Sequence, residues 1–239
     1  MKRFLKWAGI VLLVLLVGVG GLFYSVFGSN LAVVDGQEIE PGITTVKDGF
    51  VSVFVLDVGP GKVVLVDTGN DKTAKATLDA LTRRGLTAAS VAAILLTHGH
   101  PDHTSGCRAF PDVPVYALEV EIPIVGDACK VTHPLHDGDV VDIGDLHVEV
   151  FSVPGHTVGS AVYLTRGVLF FGDSAGANKS GELTRAVRLF SKDSAENVAS
   201  LKALDVRLKP RSGEIKKLAF AHTGPLTGLG PLDTFASQP

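Results

Sequence analysis

The sequence predicts an α+β fold in which two β-sheets pack face to face. Most of its apolar runs are short and come in pairs joined by turns that contain Gly or Pro, which is typical of β-hairpins. Longer segments with apolar residues at helical spacing interrupt these pairs at intervals. Both halves of the chain follow the order strands, loop and helix, which favours one sheet from each half.

In the first half, the Gly and Pro of residues 59–61 join two apolar runs into a predicted hairpin. Apolar residues at helical spacing predict a helix that ends at about residue 84 and that Asn70 or Asp71 caps. Gly85 stops this helix. The predicted strands are 31–34, 43–46, 50–57, 62–66, 91–96 and 113–117, and a short helix is predicted over 105–110.

In the second half, residues 118–135 carry only weak signals, and no element is assigned there. Leu201, Leu204 and Leu208 fall on one face of a predicted helix over 195–208. The predicted strands are 140–143, 146–153, 161–164, 168–171 and 217–221.

The N-terminal residues 8–27 form an uncharged apolar run that could span the roughly 30 Å hydrocarbon core of a bilayer. Lys2, Arg3 and Lys6 precede this run, which predicts an N-terminus in the cytoplasm. We therefore expect a membrane anchor over 1–28 and a functional domain over 29–239 on the extracytoplasmic side. A cleaved signal peptide is the alternative, and it would also export residues 29–239.

The composition bears on nucleic-acid binding and on the state of the two cysteines. The formal net charge is −3, and the chain has no cluster of basic residues interleaved with aromatic residues, so nucleic acid is not an expected partner. The exported part contains Cys107 and Cys129. An oxidising compartment would permit a disulfide between them, and two separate buried thiols are the alternative.

Histidine and aspartate concentrate in residues 97–103, which read Thr-His-Gly-His-Pro-Asp-His. This segment follows the apolar run 91–96, and its Gly and Pro predict a tight loop at the end of a buried strand. Neutral imidazole and carboxylate are good ligands for zinc and similar divalent ions. The candidate ligands in this loop are His98, His100, Asp102 and His103.

Three later predicted strands also end in loops with one ligand-type residue each, namely His156, Asp173 and His222. The resulting set is larger than the three protein ligands that a tetrahedral zinc with an open position needs. It suits two ions that share a bridging ligand at roughly 3.5–4 Å. We therefore expect a dinuclear metal site.

From about Val33 to Pro225 the chain resembles the metallo-β-lactamase fold superfamily. Residues 98–103 match the H-x-H-x-D-H motif of that family, and the three later candidate ligands match its later positions in order. Asp67, in Val-Asp-Thr-Gly, matches an earlier motif. The resemblance implies a four-layer αβ/βα sandwich with the site at one edge of two central sheets.

The resemblance also implies a role for each matched residue. The first ion would be bound by His98, His100 and His156, and the second by Asp102, His103 and His222. Asp173 would bridge the two ions. Asp67 would stand behind a ligand histidine and hold it in one tautomer.

The implied reaction is attack of a metal-bridging hydroxide on the carbonyl of an ester, thioester, lactone or amide. Asp102 is the candidate catalytic residue because it could orient the hydroxide. Two zinc ions are expected, with iron or manganese as alternatives, and the substrate is expected to be a small molecule. Asp173 stands where antibiotic-degrading members have Cys or Ser, so the chain is more similar to glyoxalase II-like and lactonase-like members. Residues 223–239 are too few for the helical glutathione-binding domain of the former.

Two other functions remain open at this point. Some relatives hold iron in the same fold and catalyse redox reactions, and metal analysis would separate these from hydrolases. A non-catalytic protein that keeps the ions for structure is the other alternative. The presence of the complete ligand set favours catalysis, whereas the sequence carries no indication of the substrate or the oligomeric state.

Overall fold

A computed structural model describes Trp7, Gly18, Gly21 and residues 28–239. The chain divides into two units, residues 1–30 and 31–239. The predicted transmembrane run, residues 8–27, lies outside the described residues apart from Gly18 and Gly21. Within the described part, none of the helices has the length and apolar character that crossing a membrane requires.

The larger sheet has seven strands in the order β1 to β7. The first four strands are antiparallel neighbours, and β4 to β7 pair in parallel. Their bounds are β1 Glu38–Glu40, β2 Ile43–Asp48, β3 Val51–Asp57, β4 Val63–Val66, β5 Val91–Leu95, β6 Val115–Leu118 and β7 His133–Leu135.

The second sheet has six strands in the order β15-β14-β11-β10-β9-β8, and only β11 and β14 pair in parallel. A separate hairpin consists of β12 and β13. The bounds are β8 Val140–Ile143, β9 Leu146–Ser152, β10 Ala161–Thr165, β11 Val168–Phe170, β12 Ala175–Ala177, β13 Leu183–Arg185, β14 Lys217–Ala219 and β15 Leu226–Thr227.

The described region also contains five α-helices and several short 3-10 segments. The α-helices are α1 Lys75–Arg83, α2 Pro101–Thr104, α3 Ile122–Val125, α4 Ser194–Leu208 and α5 Gly230–Ala236. The 3-10 segments are Ala88–Ser90, Ser105–Ala109, Glu119–Glu121, Gly126–Ala128, Arg188–Phe190 and Lys209–Glu214.

Three apolar layers separate the elements. Between the sheets, Phe54 and Val66 of the first sheet share a core with Val150 and Phe170 of the second. The outer face of the first sheet packs on Leu81 of α1. The outer face of the second sheet packs on α4 through a leucine series, Leu201, Leu204 and Leu208. Each sheet therefore has helix on one face and sheet on the other, which confirms the predicted four-layer arrangement.

Most predicted elements are found within one or two residues of their expected ends, and two predictions were wrong. Residues 31–34 form no strand. The first helix begins at Lys75, after Ala74 in the left-handed conformation, rather than directly behind an Asn70 or Asp71 cap. The carboxylate of Asp71 instead accepts hydrogen bonds from the backbone N–H groups of Thr73 and Lys75. These bonds hold the segment in a turn, so the helix begins only after it.

The structure also resolves the cysteine alternatives. Cys107 and Cys129 form a disulfide, with Cα atoms 5.4 Å apart. The bond links the 3-10 segment that follows the histidine-rich loop to Cys129, within residues 118–135, the stretch without an expected element. It therefore ties this otherwise irregular stretch to the first sheet's outer layer, in which both sulfur-bearing residues are buried.

Candidate metal centre

All the predicted ligand-type residues lie where strands of one direction end. Strands β4 and β5 are parallel, and β9, β11 and β14 also share one direction in their sheet. A hydrogen bond from the Ala161 amide to the Thr97 carbonyl, at 2.7 Å, joins the two sheets at this edge. The loops after these five strands therefore meet at one place, as the sequence predicts for a shared site.

One group of converging side chains consists of His98, His100, His156 and Asp173. The Nε2 atom of His156 lies 3.2 Å from His98 Nε2 and 3.0 Å from His100 Nδ1. It also lies 3.5 Å from Asp173 Oδ2. Three imidazole nitrogens and a carboxylate oxygen therefore face a common point.

Neighbouring hydroxyls fix the tautomers of two of these imidazoles. The Thr97 hydroxyl donates to Asp67 Oδ2 at 2.7 Å, so it accepts from His98 Nδ1–H at 3.1 Å. The Ser191 hydroxyl donates to a backbone carbonyl at 2.9 Å, so it accepts from His156 Nδ1–H at 3.3 Å. Both Nε2 atoms are then left with lone pairs that point at each other, which only a bound cation or proton can reconcile.

A second group consists of Asp102, His103 and His222. His222 Nε2 lies 3.3 Å from Asp102 Oδ2 and 3.1 Å from Asp173 Oδ1. His103 Nε2 lies 3.3 Å from the same Asp173 oxygen. Both His103 Nε2 and Asp173 Oδ1 are buried and have no hydrogen bond of good geometry. Buried nitrogen and oxygen atoms that lack hydrogen-bond partners fit a site for a divalent cation, to which they can donate lone pairs. Asp173 lies between the two groups.

Asp67 lies directly behind the second group. Its carboxylate accepts from the amide and hydroxyl of Thr97 at 2.8 and 2.7 Å. It also accepts from His103 Nδ1–H at 2.8 Å, which directs His103 Nε2 into the site. Asp67 is buried and has a φ of 60°, in the left-handed region. Such a conformation in a non-glycine residue is sustained by these hydrogen bonds, in keeping with a positioning role.

The two groups differ in charge. Burial lowers the pKa of His98 well below its ordinary value and lowers that of His156 to about 4, so both imidazoles are neutral at pH 7. Burial opposes charge on His222 as well, but the Asp173 charge and the close contacts of its Nε2–H with the Asp102 and Asp173 carboxylates raise its pKa to about 10. The second group therefore holds positive charge next to its carboxylates, and a cation would take the place of protons there.

Sequence reasoning missed one buried group beside the site. Glu121 is fully buried, and its two carboxylate oxygens accept from the amides of Gly99 and Gly159, each at 2.8 Å. It lies in the stretch for which no element was predicted. The one available signal is an acidic residue between apolar ones, together with glycines in two of the ligand loops.

The phenyl ring and carbonyl of Phe50 were also missed. Its carbonyl accepts from His222 Nδ1–H at 2.9 Å, and its ring stacks on His222 with centroids 5.7 Å apart. Phe50 lies in the turn between β2 and β3, which is far from His222 in sequence. Only the packing of the two sheets reveals this contact.

The chain is similar to known proteins over much of its length. The family described as the Metallo-beta-lactamase superfamily matches residues 46–222. A hydroxyacylglutathione hydrolase of Aliivibrio fischeri is 41% identical over 116 residues, which are 46% of this chain and 43% of that protein. One of Nitrosomonas eutropha is 36% identical over 118 residues, which are 47% of this chain and 42% of that protein. The chain thus matches less than half the length of these curated relatives.

Solved structures show the same fold. A metallo-beta-lactamase family protein of Thermus thermophilus has a TM-score of 0.64 at 24% identity, over 83% of this chain and 78% of that one. A metallo-beta-lactamase from Pontibacter korlensis has a TM-score of 0.66 at 18% identity, over 85% and 98% of the two chains. Since the family match covers most of the sequence, the chain belongs to the metallo-beta-lactamase superfamily.

Proposed function

We propose that this superfamily member is a metal-dependent hydrolase that uses two divalent ions to cleave an ester, thioester, lactone or amide. Zinc is the proposed metal. One observation carries the proposal: seven imidazole and carboxylate side chains converge in two adjoining groups with unpaired donor atoms. Its curated relatives are named hydroxyacylglutathione hydrolases, which favours cleavage of an acyl compound.

The geometry suggests how the residues divide between the ions. The first ion would be held by His98, His100 and His156, and the second by Asp102, His103 and His222. Asp173 would serve both, because its two oxygens face histidines of both groups at 3.1–3.5 Å. When bound, two such ions supply the Lewis acidity that lowers the pKa of water toward neutrality and polarises a carbonyl group.

The protein's own side chains would transfer the proton of the attacking water. Asp102 is the carboxylate at the open side of the site, with 21% of its side chain exposed. It can accept the proton of an attacking water and pass it to the leaving group. His222 faces Asp102 and keeps this carboxylate oriented. Asp102 is therefore the proposed catalytic residue.

Exposed apolar side chains flank three of the ligand loops. Phe50 is 61% exposed although it stacks on His222. Phe190 is 52% exposed and precedes the serine that contacts His156. Ile124 is 41% exposed and lies against the glycine of the His-Gly-His segment. An apolar acyl group is the substrate part that we propose to contact these three exposed side chains.

The test is a metal analysis joined to a substrate panel. Protein purified without added metal is analysed for zinc, iron and manganese, and then assayed on thioesters, lactones, esters and β-lactams. Esters of short and long acyl chains are compared in the same series. We expect two zinc ions per chain and hydrolysis that a chelator abolishes, zinc restores and a longer acyl chain favours. Stoichiometric iron with oxygen uptake and no hydrolysis would reject the proposal in favour of a redox enzyme.

We also propose that residues 29–239 work outside the cytoplasm, held by an anchor in residues 1–28. The uncharged run 8–27 and the disulfide between Cys107 and Cys129 support this location. In protein isolated from its native host without reductant, both cysteines are expected to resist alkylation until the disulfide is reduced. Quantitative alkylation without reductant would argue for a reducing compartment.

A further inference from the structure

We propose that Glu121 is a positioning residue for one of the two ions only, the ion of His98, His100 and His156. This inference rests on the proposed dinuclear site. Glu121 touches none of the ligand-type side chains itself. It acts through the backbone of the two loops that carry these three histidines.

The carboxylate joins two loops that belong to different sheets. Its Oε1 atom accepts from the amide of Gly99, which lies between His98 and His100. Its Oε2 atom accepts from the amide of Gly159, three residues after His156. Hydrogen bonds to an ionised carboxylate are among the stronger ones in proteins, and here they lie in the interior.

Both donor residues must be glycine for this contact to form. A Cβ atom on Gly159 would lie 2.8 Å from the Cβ and backbone nitrogen of Glu121. A Cβ atom on Gly99 would lie 2.7 Å from the backbone nitrogen of Val125, in the helix that follows Glu121. Neither glycine has a positive φ, so lack of space rather than backbone conformation requires them. The ligand loops are thus shaped to receive this carboxylate.

The second group is held by different contacts. His103 bonds to Asp67, and His222 bonds to the carbonyl of Phe50. Asp67 also reaches His98 through the Thr97 hydroxyl, so it supports both groups. Glu121 is therefore expected to affect one ion selectively, whereas Asp67 is expected to affect both.

The test measures zinc affinity rather than activity. Wild-type protein and the variant Glu121→Gln are titrated with zinc against a chromophoric chelator, which resolves two binding constants. Gln can accept from only one of the two glycine amides. We expect one constant to weaken by about 10–100-fold, as when a partner that orients a ligand is removed, and the other to change by less than about threefold. Cobalt substitution should show an altered visible spectrum for one ion only.

Three further variants make the result specific. Glu119→Gln, in the same 3-10 turn but exposed and paired with His136, should leave both constants unchanged. Asp67→Asn should weaken both. Glu121→Asp keeps the charge but is one methylene shorter, and it should reproduce the selective loss if the Gln variant does not fold.

The outcomes separate the two proposals. Suppose that wild-type protein binds two zinc ions. If the Glu121 variants then weaken both binding constants equally, or leave both constants unchanged, the role of Glu121 is rejected while the dinuclear site stands. Lower thermal stability of the metal-free variant with unchanged constants would show a purely structural role and also reject it. If wild-type protein binds no zinc, the proposed function and this inference fail together.

Discussion

Replacing Asp173 by Asn is expected to weaken the binding of both ions and to lower kcat/KM by at least about a thousandfold, since hydroxide would no longer form readily near neutral pH. The carboxylate contacts His103 and His222 through one oxygen and His156 through the other. No other side chain of the described residues is shared in this way between the two groups. The charges of His103 and His222 hold the pKa of Asp173 well below its usual range despite burial, so wild-type Asp173 is ionised.

The measurement is the metal content after dialysis, followed by kcat/KM with saturating zinc. Asp142→Asn is the matched control, because it removes the carboxylate of an exposed Asp–His pair with His147. This control should keep both ions and full activity. Two tightly bound zinc ions in the Asp173→Asn variant would show that Asp173 does not bridge the groups.

Replacing Asp102 by Ala is expected to reduce turnover by at least about a hundredfold while one ion stays bound. Asp102 lies in the first turn of α2, faces His222 at 3.3 Å and is partly exposed. Its removal therefore leaves the core intact and leaves the first group complete. The expected pattern is a lower kcat, one zinc per chain at low zinc concentration and little change in Tm.

The exposed Asp112 provides a comparison for Asp102, because its replacement by Ala removes a charge outside the site. Zinc titration, kcat and thermal unfolding are measured for both variants. Unchanged turnover in the Asp102→Ala variant would exclude Asp102 as the catalytic base and second-ion ligand. A large fall in Tm would instead indicate that Asp102 is needed for folding.

Local patterns were enough to predict most of the fold. The hairpin of β3 and β4 is marked by Gly and Pro at residues 59–61, and the apolar spacing of α4 is regular. These signals are local, so they survive in any packing. The wrong prediction for residues 31–34 has the opposite cause. That segment is apolar, but Leu31 makes only isolated backbone hydrogen bonds, to the Ala177 carbonyl at the end of β12 and from the Gly224 amide, and no continuous strand pairing results.

The weakest region for prediction was 118–135, where short helical turns and a disulfide replace regular elements. Turns this short carry little periodicity, and their stability comes from contacts with the rest of the domain. Glu121 lies in this region, and its partners Gly99 and Gly159 come from two other loops. Its contacts with these loops therefore could not be predicted from the sequence.

By itself, the sequence determined which side chains are candidate metal ligands: the seven ligand-type side chains, their order and their position at the ends of strands. Residue type and local pattern suffice for these, because a ligand's donor atom is a property of its own side chain. The family resemblance already implied two groups with Asp173 between them. Only the tertiary structure decided which partners orient each imidazole and that Glu121 joins two of the ligand loops. Those facts depend on distances between segments that are far apart in the chain, and such distances are established when the two sheets pack.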